Sequence, residues 1–212
     1  LQQSSAASDV YKRQLDLFAG DADGVFRFFL NTGSATGATF TQQTGANNPL
    51  DGLDVGTESA LSLGDIDRDG DLDAVIGSFY GTFRVFENTG TALAPTFTEL
   101  TGTNNPLDGE DVGDKSTPTL GDLDGDGDLD LLSGNLDGTF NFYEATAIDI
   151  QEFKAQTGSG NPLDGVDVGA SSAPLLADFD ADGDLDVITG GQGGIFQYFQ
   201  NTGTGLAPTF TD

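Results

Sequence analysis

Residues 121–130 read GDLDGDGDLD, and residues 131–144 continue LLSGNLDGTFNFYE. Aspartate fills alternate positions from Asp122 to Asp130, with Gly127 where the chain must bend back on itself. An apolar step, Leu131-Leu132, follows. Then comes a turn, NLDG at 135–138, and a run of aromatics on alternate and adjacent positions, Phe140, Phe142 and Tyr143. Short apolar segments punctuated by Gly, Asn and Asp read as β-strands joined by tight turns.

The same pattern lies on both sides. GDIDRDGDLD occupies 64–73 and ADFDADGDLD occupies 177–186, so the loops recur 57 and then 56 residues apart. Three further elements recur in step. NPLDGLDVG, NPLDGEDVG and NPLDGVDVG lie at 48–56, 105–113 and 161–169. GVFRFF, GTFRVF, GTFNFY and GIFQYF begin at Gly24, Gly81, Gly138 and Gly194. An isolated aromatic returns at Phe40, Phe97, Phe153 and Phe210. The one-residue slip falls between Tyr143 and Phe153, where the NTG of the other units is replaced by ATA.

Each unit reads as four strands. One precedes the Asp loop (60–63 and 117–120), one follows it (74–77, 131–133 and 187–189), one is the aromatic run, and one surrounds the isolated Phe. In the aromatic strand Phe83 and Val85 share a face and Phe86 lies on the other. Apolar residues on both faces suit a sheet covered on both sides, as in a propeller blade between two neighbours. One unit holds too little core to fold alone, which favours stacked blades over separate sandwiches. No segment keeps a 3.6-residue period, so helix is minimal. The expected fold is all-β, a propeller arc of about three and a half four-stranded blades. Leu15 is in register with Leu72 and Asp212 with Gln42, so two strands of a fourth blade are expected to be missing. The expected units are a partial blade at 15–57, blades at 58–114 and 115–170, and a partial blade at 171–212.

Residues 4–14, SSAASDVYKRQ, stand outside the repeat. Back-translated in one frame, they reproduce a transposase adapter used to build sequencing libraries. Residues 1–14 are therefore expected to be non-native and disordered, and the repeat is expected to be a fragment beginning within its gene.

The chain carries 31 Gly and 16 Phe but no Trp, Met, Cys or His. Without Cys and His, the ordinary ligand sets for zinc, copper and haem are missing. Seven Lys and Arg stand against 35 Asp and Glu, a formal charge of −28. Such a chain is a poor partner for nucleic acid or an anionic membrane surface, and nothing in it is apolar for long enough to insert into a membrane.

The acids cluster in the loops. Five carboxylates within nine residues repel one another unless a cation lies among them. Hard oxygen ligands in flexible loops suit calcium, which takes six to eight oxygens at about 2.3–2.6 Å. In the loop at 64–73 the side chains of Asp65, Asp67, Asp69 and Asp73 are assigned as ligands, with Asp71 giving its backbone carbonyl. The equivalent sets are Asp122, Asp124, Asp126, Asp128 and Asp130, and Asp178, Asp180, Asp182, Asp184 and Asp186, for about three ions in all. Asp16 reads as the last ligand of a truncated loop. An EF-hand is rejected: its position twelve falls on Ile76, Ser133 and Thr189 rather than Glu, and the flanks read as strands. The calcium β-roll nonapeptide is absent too. Magnesium is the rival ion, disfavoured because it keeps its waters. A solvated acidic turn is the simpler alternative.

The loop together with the strands around it resembles the FG-GAP and VCBS repeats, whose propellers are similar to the N-terminal head of integrin α chains. The resemblance covers essentially all of 15–212. It implies a seven-bladed propeller, calcium in the blade loops, and secretion or surface display by bacteria. NPLDGxDVG is longer than the shortest repeats carry. Its acids (Asp51 and Asp54, Asp108 and Asp111, Asp164 and Asp167) form either a second ion or ligand site or a loop that joins blades.

The function expected is a calcium-stabilised extracellular module for adhesion, binding an unidentified protein or glycan and monomeric within a larger chain. Alternatives are a propeller domain of a polysaccharide-active enzyme and a pure spacer in a large surface protein. Enzyme activity is not expected. Catalytic groups usually break repeat symmetry, and Tyr80 and Lys115, which do break it, read as surface substitutions.

Overall fold

The computed structural model describes residues 4–9, 14–34, 36–146, 152–204 and 206–212, with side chains from Leu15 onward. The strands are β1 (Ser4–Asp9), β2 (Gln14–Gly20), β3 (Phe26–Asn31), β4 (Phe40–Gln43), β5 (Ala60–Gly64), β6 (Asp73–Gly77), β7 (Phe83–Asn88) and β8 (Phe97–Leu100). They continue as β9 (Thr117–Gly121), β10 (Asp130–Gly134), β11 (Phe140–Ala145), β12 (Phe153–Gln156), β13 (Ala173–Ala177), β14 (Asp186–Gly190), β15 (Phe196–Asn201) and β16 (Phe210–Thr211). They form four antiparallel sheets of four consecutive strands each. The first strands of the sheets, β1, β5, β9 and β13, pack beside one another in turn. The sheets therefore fan around an axis with these strands innermost, a β-propeller arrangement. Among the described residues helix is confined to single 3₁₀ turns at Gly45–Asn47, Gly102–Asn104 and Gly158–Gly160.

The all-β propeller arc is as the repeat foretells. The count of strands differs, because β1 supplies the inner strand of the first sheet and the last sheet holds four strands, with β16 only two residues long. The stretch expected to be disordered therefore contributes Ser4–Asp9 in register with β2, Ser4 opposite Ala19 and Asp9 opposite Gln14. Main-chain pairing asks for no particular side chain, so a polar segment can fill the open edge of β2. Residues 1–3 and 10–13 of that stretch lie outside the described residues.

The core lies between sheets rather than within them. Phe18 and Phe26 of the first sheet meet Leu61, Ile76 and Phe86 of the second. Val75, Phe83 and Val85 of the second meet Leu131 and Tyr143 of the third. Leu132, Phe140 and Phe142 of the third meet Val187 and Phe199 of the fourth. The NPLDGxDVG loops drive wedges into the same seams: Leu50 and Val55 in the first, Leu107 and Val112 in the second, and Leu163 in the third.

Those loops are fixed by their own polar groups. The Asn48 and Asn161 amides donate to the carbonyls of Phe26 (3.0 Å) and Phe140 (2.9 Å). Asp54, Asp111 and Asp167 each accept the N–H two residues on, at 2.9 Å. Asp51, Asp108 and Asp164 point to solvent. Of the two readings left open, the blade-joining loop is the one the packing fits.

A second seam runs near the axis. The Ser116 hydroxyl accepts the N–H of Ser78 (2.8 Å) and lies 2.9 Å from the Thr82 carbonyl, to which it donates. Ser172 repeats this with Asn135 (2.9 Å) and Thr139 (3.0 Å). The approach is so close that a Cβ on Gly77 would stand 2.3 Å from the Ser116 carbonyl oxygen, and one on Gly134 2.5 Å from that of Ser172. Glycine at the end of β6 and β10 is thus a packing requirement between blades.

Candidate metal centres

Each Asp loop links the first strand of a sheet to the second, and its aspartates divide into three roles. The ninth position anchors the loop. Asp73, 2% exposed, accepts the N–H of Ile66 (2.9 Å) with one oxygen and that of Asn88 (2.8 Å) with the other. Asp130 accepts from Leu123 and Ala145, both at 2.9 Å. Asp186 accepts from Phe179 (3.0 Å) and Asn201 (2.8 Å), and the Tyr198 hydroxyl adds a third bond at 3.0 Å. The anchor ties the loop to the third strand of its own sheet. Asp16 holds the same place in the first sheet, buried and accepting from Asn31 N–H at 2.7 Å. Its position is therefore explained by the fold whether or not an ion is near.

The first and third positions face the anchor. Asp65, Asp122 and Asp178 each accept a glycine N–H across the bend, Gly70 and Gly127 at 3.1 Å and Gly183 at 3.2 Å. These glycines have φ of 99°, 97° and 102°, which a side chain would strain. Asp67, Asp124 and Asp180 accept the N–H of the fifth residue at 3.1–3.2 Å. One carboxylate oxygen from each of Asp65, Asp67 and Asp73 lies within 4.8 Å of the others, and the same holds for Asp122, Asp124 and Asp130 and for Asp178, Asp180 and Asp186. Two ligands on opposite sides of one calcium are about 4.6–5.2 Å apart, so the spread fits a shared ion.

The fifth and seventh positions are not members of these 4.8 Å groups. Asp69, Asp126 and Asp182 spend an oxygen on the N–H of the seventh residue at 2.9–3.0 Å. Asp71 is 9% exposed and its Oδ1 has no hydrogen-bond partner. Asp128 pairs with Arg68, whose guanidinium also donates to the Gly127 carbonyl at 3.2 Å. Arg68 thus bridges the loops at 64–73 and 121–130 from a position where the others carry Gly125 and Ala181. That departure from the repeat was visible in the sequence, but its target was not.

The structure itself tests whether the loops suit a cation. Oδ1 of Asp65 and Oδ1 of Asp122 are buried without a hydrogen-bond partner. A buried carboxylate oxygen left so is costly, and a cation is the partner that satisfies it. Burial pushes the Asp73 carboxyl up to about 6 and that of Asp130 to about 7, against the amide bonds that pull them down. Asp71 is raised by burial and then by the charges of Asp69, Asp67 and Asp65. Asp124 is raised by burial, with Asp126, Glu144 and Asp122 adding repulsion. The groups thus resist ionising together without positive charge.

A family model described as FG-GAP-like repeat matches residues 65–133 and 122–189. No curated protein matches the chain. Among solved structures it is similar to that of an Agrocybe aegerita lectin, in work on specific recognition of non-reducing terminal N-acetylglucosamine. The TM-score is 0.51 at 21% identity, over 99% of this chain and 51% of that one. The chain therefore spans about half the length of that structure, and the likeness is one of fold.

Proposed function

The chain belongs to the FG-GAP-like repeat family, and on that premise we propose that it is a calcium-stabilised binding module of the extracellular space, without catalytic activity of its own. The observation that carries the reading is the threefold meeting of carboxylate oxygens within 4.8 Å at Asp65, Asp67 and Asp73 and at their two equivalents. The buried, unpartnered oxygens of Asp65 and Asp122 support it. When bound, calcium would neutralise the crowded carboxylates and add its binding free energy to that of folding. Asp73, Asp130 and Asp186 hold the loops to their sheets. The first- and third-position aspartates complete each cage. Extracellular calcium modules fill at millimolar calcium, and on this reading the protein works outside the cell.

The partner is proposed to be a glycan or a protein, met by the loops at the blade ends, with the chain monomeric in itself. The lectin of similar fold makes glycans the first class to screen. Melts of the full chain in calcium, in magnesium and in chelator test the ion. A stabilisation of several degrees by calcium alone is expected, and a melt indifferent to calcium overturns the assignment. A glycan array with the calcium-loaded chain tests the partner. Binding to a defined terminal sugar supports the module, whereas a blank array together with no protein captured favours the spacer reading.

A further inference from the structure

In the three sheets that carry an Asp loop, the fifth residue of the third strand is Glu or Gln. In the fourth sheet Gln200 of β15 donates to Asp180 Oδ2 at 2.6 Å, so this strand position reaches a third-position carboxylate. Its equivalents are Glu87 in β7 and Glu144 in β11. Glu144 shares a recess with Asp126, Asp128 and Arg68, and its charge acts on Asp124. Its Oε2 accepts the Gln156 amide at 2.5 Å, which leaves Oε1. The position is therefore acidic in the second and third sheets and a neutral amide in the fourth.

We propose that residues 87, 144 and 200 set the affinity of the neighbouring calcium loop, so that the loops beside Glu87 and Glu144 bind calcium more tightly than the loop beside Gln200. The inference rests on the calcium reading above. Within that reading, the buried unpartnered Oδ1 of Asp71 and of Asp65 stand beside Glu87's loop, and that of Asp122 beside Glu144's. Calcium affinity in oxygen cages rises with the number of charged ligands. A carboxylate at this position adds a negative charge that an amide lacks. Repulsion between Glu144 and Asp124 in the metal-free loop turns into shared attraction for the ion.

The test is calcium titration calorimetry on the full chain after stripping with chelator. The wild type should show two tighter sites and one weaker. Gln200→Glu should tighten the weak site about tenfold, and Glu87→Gln with Glu144→Gln should weaken the tight pair about tenfold. The exchanges are nearly isosteric and opposite in direction, so loss of folding cannot produce both results. Calcium binding that is the same in all variants overturns this proposal and leaves the calcium loops standing. Absence of calcium binding in the wild type overturns both.

Discussion

Phe140 and Phe196 hold the same place in successive units, at the start of the third strand. Phe140 is 5% exposed and Phe196 is 78% exposed. Their neighbours repeat the contrast: Phe142 is buried while Tyr198 is not, and Leu123 is buried while Phe179 is not. The two sheets have near-identical patterns and register. What differs is the company: the third sheet's face is closed by Leu163, Val187 and Phe199, whereas among the described residues nothing comparable closes the fourth. A blade therefore does not bury its own aromatic strand. The next blade does, and stability in such a molecule is a sum over seams rather than over blades.

The strongest way to break this comparison is to truncate both rings. Phe140→Ala should lower the stability read from urea denaturation by about 3–5 kcal/mol, while Phe196→Ala should change it by less than about 1. Equal losses would mean that the fourth face is covered in solution. The glycines come next. A Cβ on Gly134 would meet Ser172 Oγ at 2.4 Å, whereas on Gly190 the nearest atoms belong to the Phe196 ring at 3.4 Å. Gly134→Ala should cost about 1–3 kcal/mol and Gly190→Ala close to nothing.

The loops sharpen the contrast from another side. Asp130 stands by an Asp loop, while Asp16 holds the anchor position without one. Asp130→Asn leaves one backbone N–H facing an amide N–H₂, at a cost of about 1–3 kcal/mol. That loss should grow in calcium and persist in chelator. Asp16→Asn should cost less, by an amount that calcium does not alter. A loss at Asp130 that vanishes in chelator would refute the anchoring role.

The smallest effect concerns pH. Asp73 and Asp130 titrate in the folded chain near 6 and 7, above the ordinary 3.8. A raised carboxyl favours the folded state below its ordinary value, and that contribution is lost as pH climbs through the raised one. Metal-free protein should therefore melt at a higher temperature at pH 5 than at pH 8, and saturating calcium should flatten the difference. A metal-free melting temperature that rises over this range would contradict the burial of these two groups.

Much of this was legible from the start. The 57-residue spacing located the sheets, and alternate aspartates located the loops. Which aspartates act together was not legible, because positions one, three, five, seven and nine look alike in a string. Only the folded loop brings oxygens of Asp65, Asp67 and Asp73 within 4.8 Å of one another, a group that does not include Asp69. Nor could Glu87, Glu144 and Gln200 be connected to the loops. They lie fourteen residues beyond the ninth aspartate along the chain, and only strand pairing brings Gln200 to Asp180.

The sequence by itself determined the strands, the turns, the period and the concentration of charge. Each of these follows from interactions within a few residues, or from a pattern that repeats. The tertiary structure decided which faces are buried, that NPLDGxDVG is a wedge between blades, and that the ninth aspartate is an anchor. Those depend on a neighbouring sheet about one period away, and the approach of two surfaces is a property that no single repeat contains.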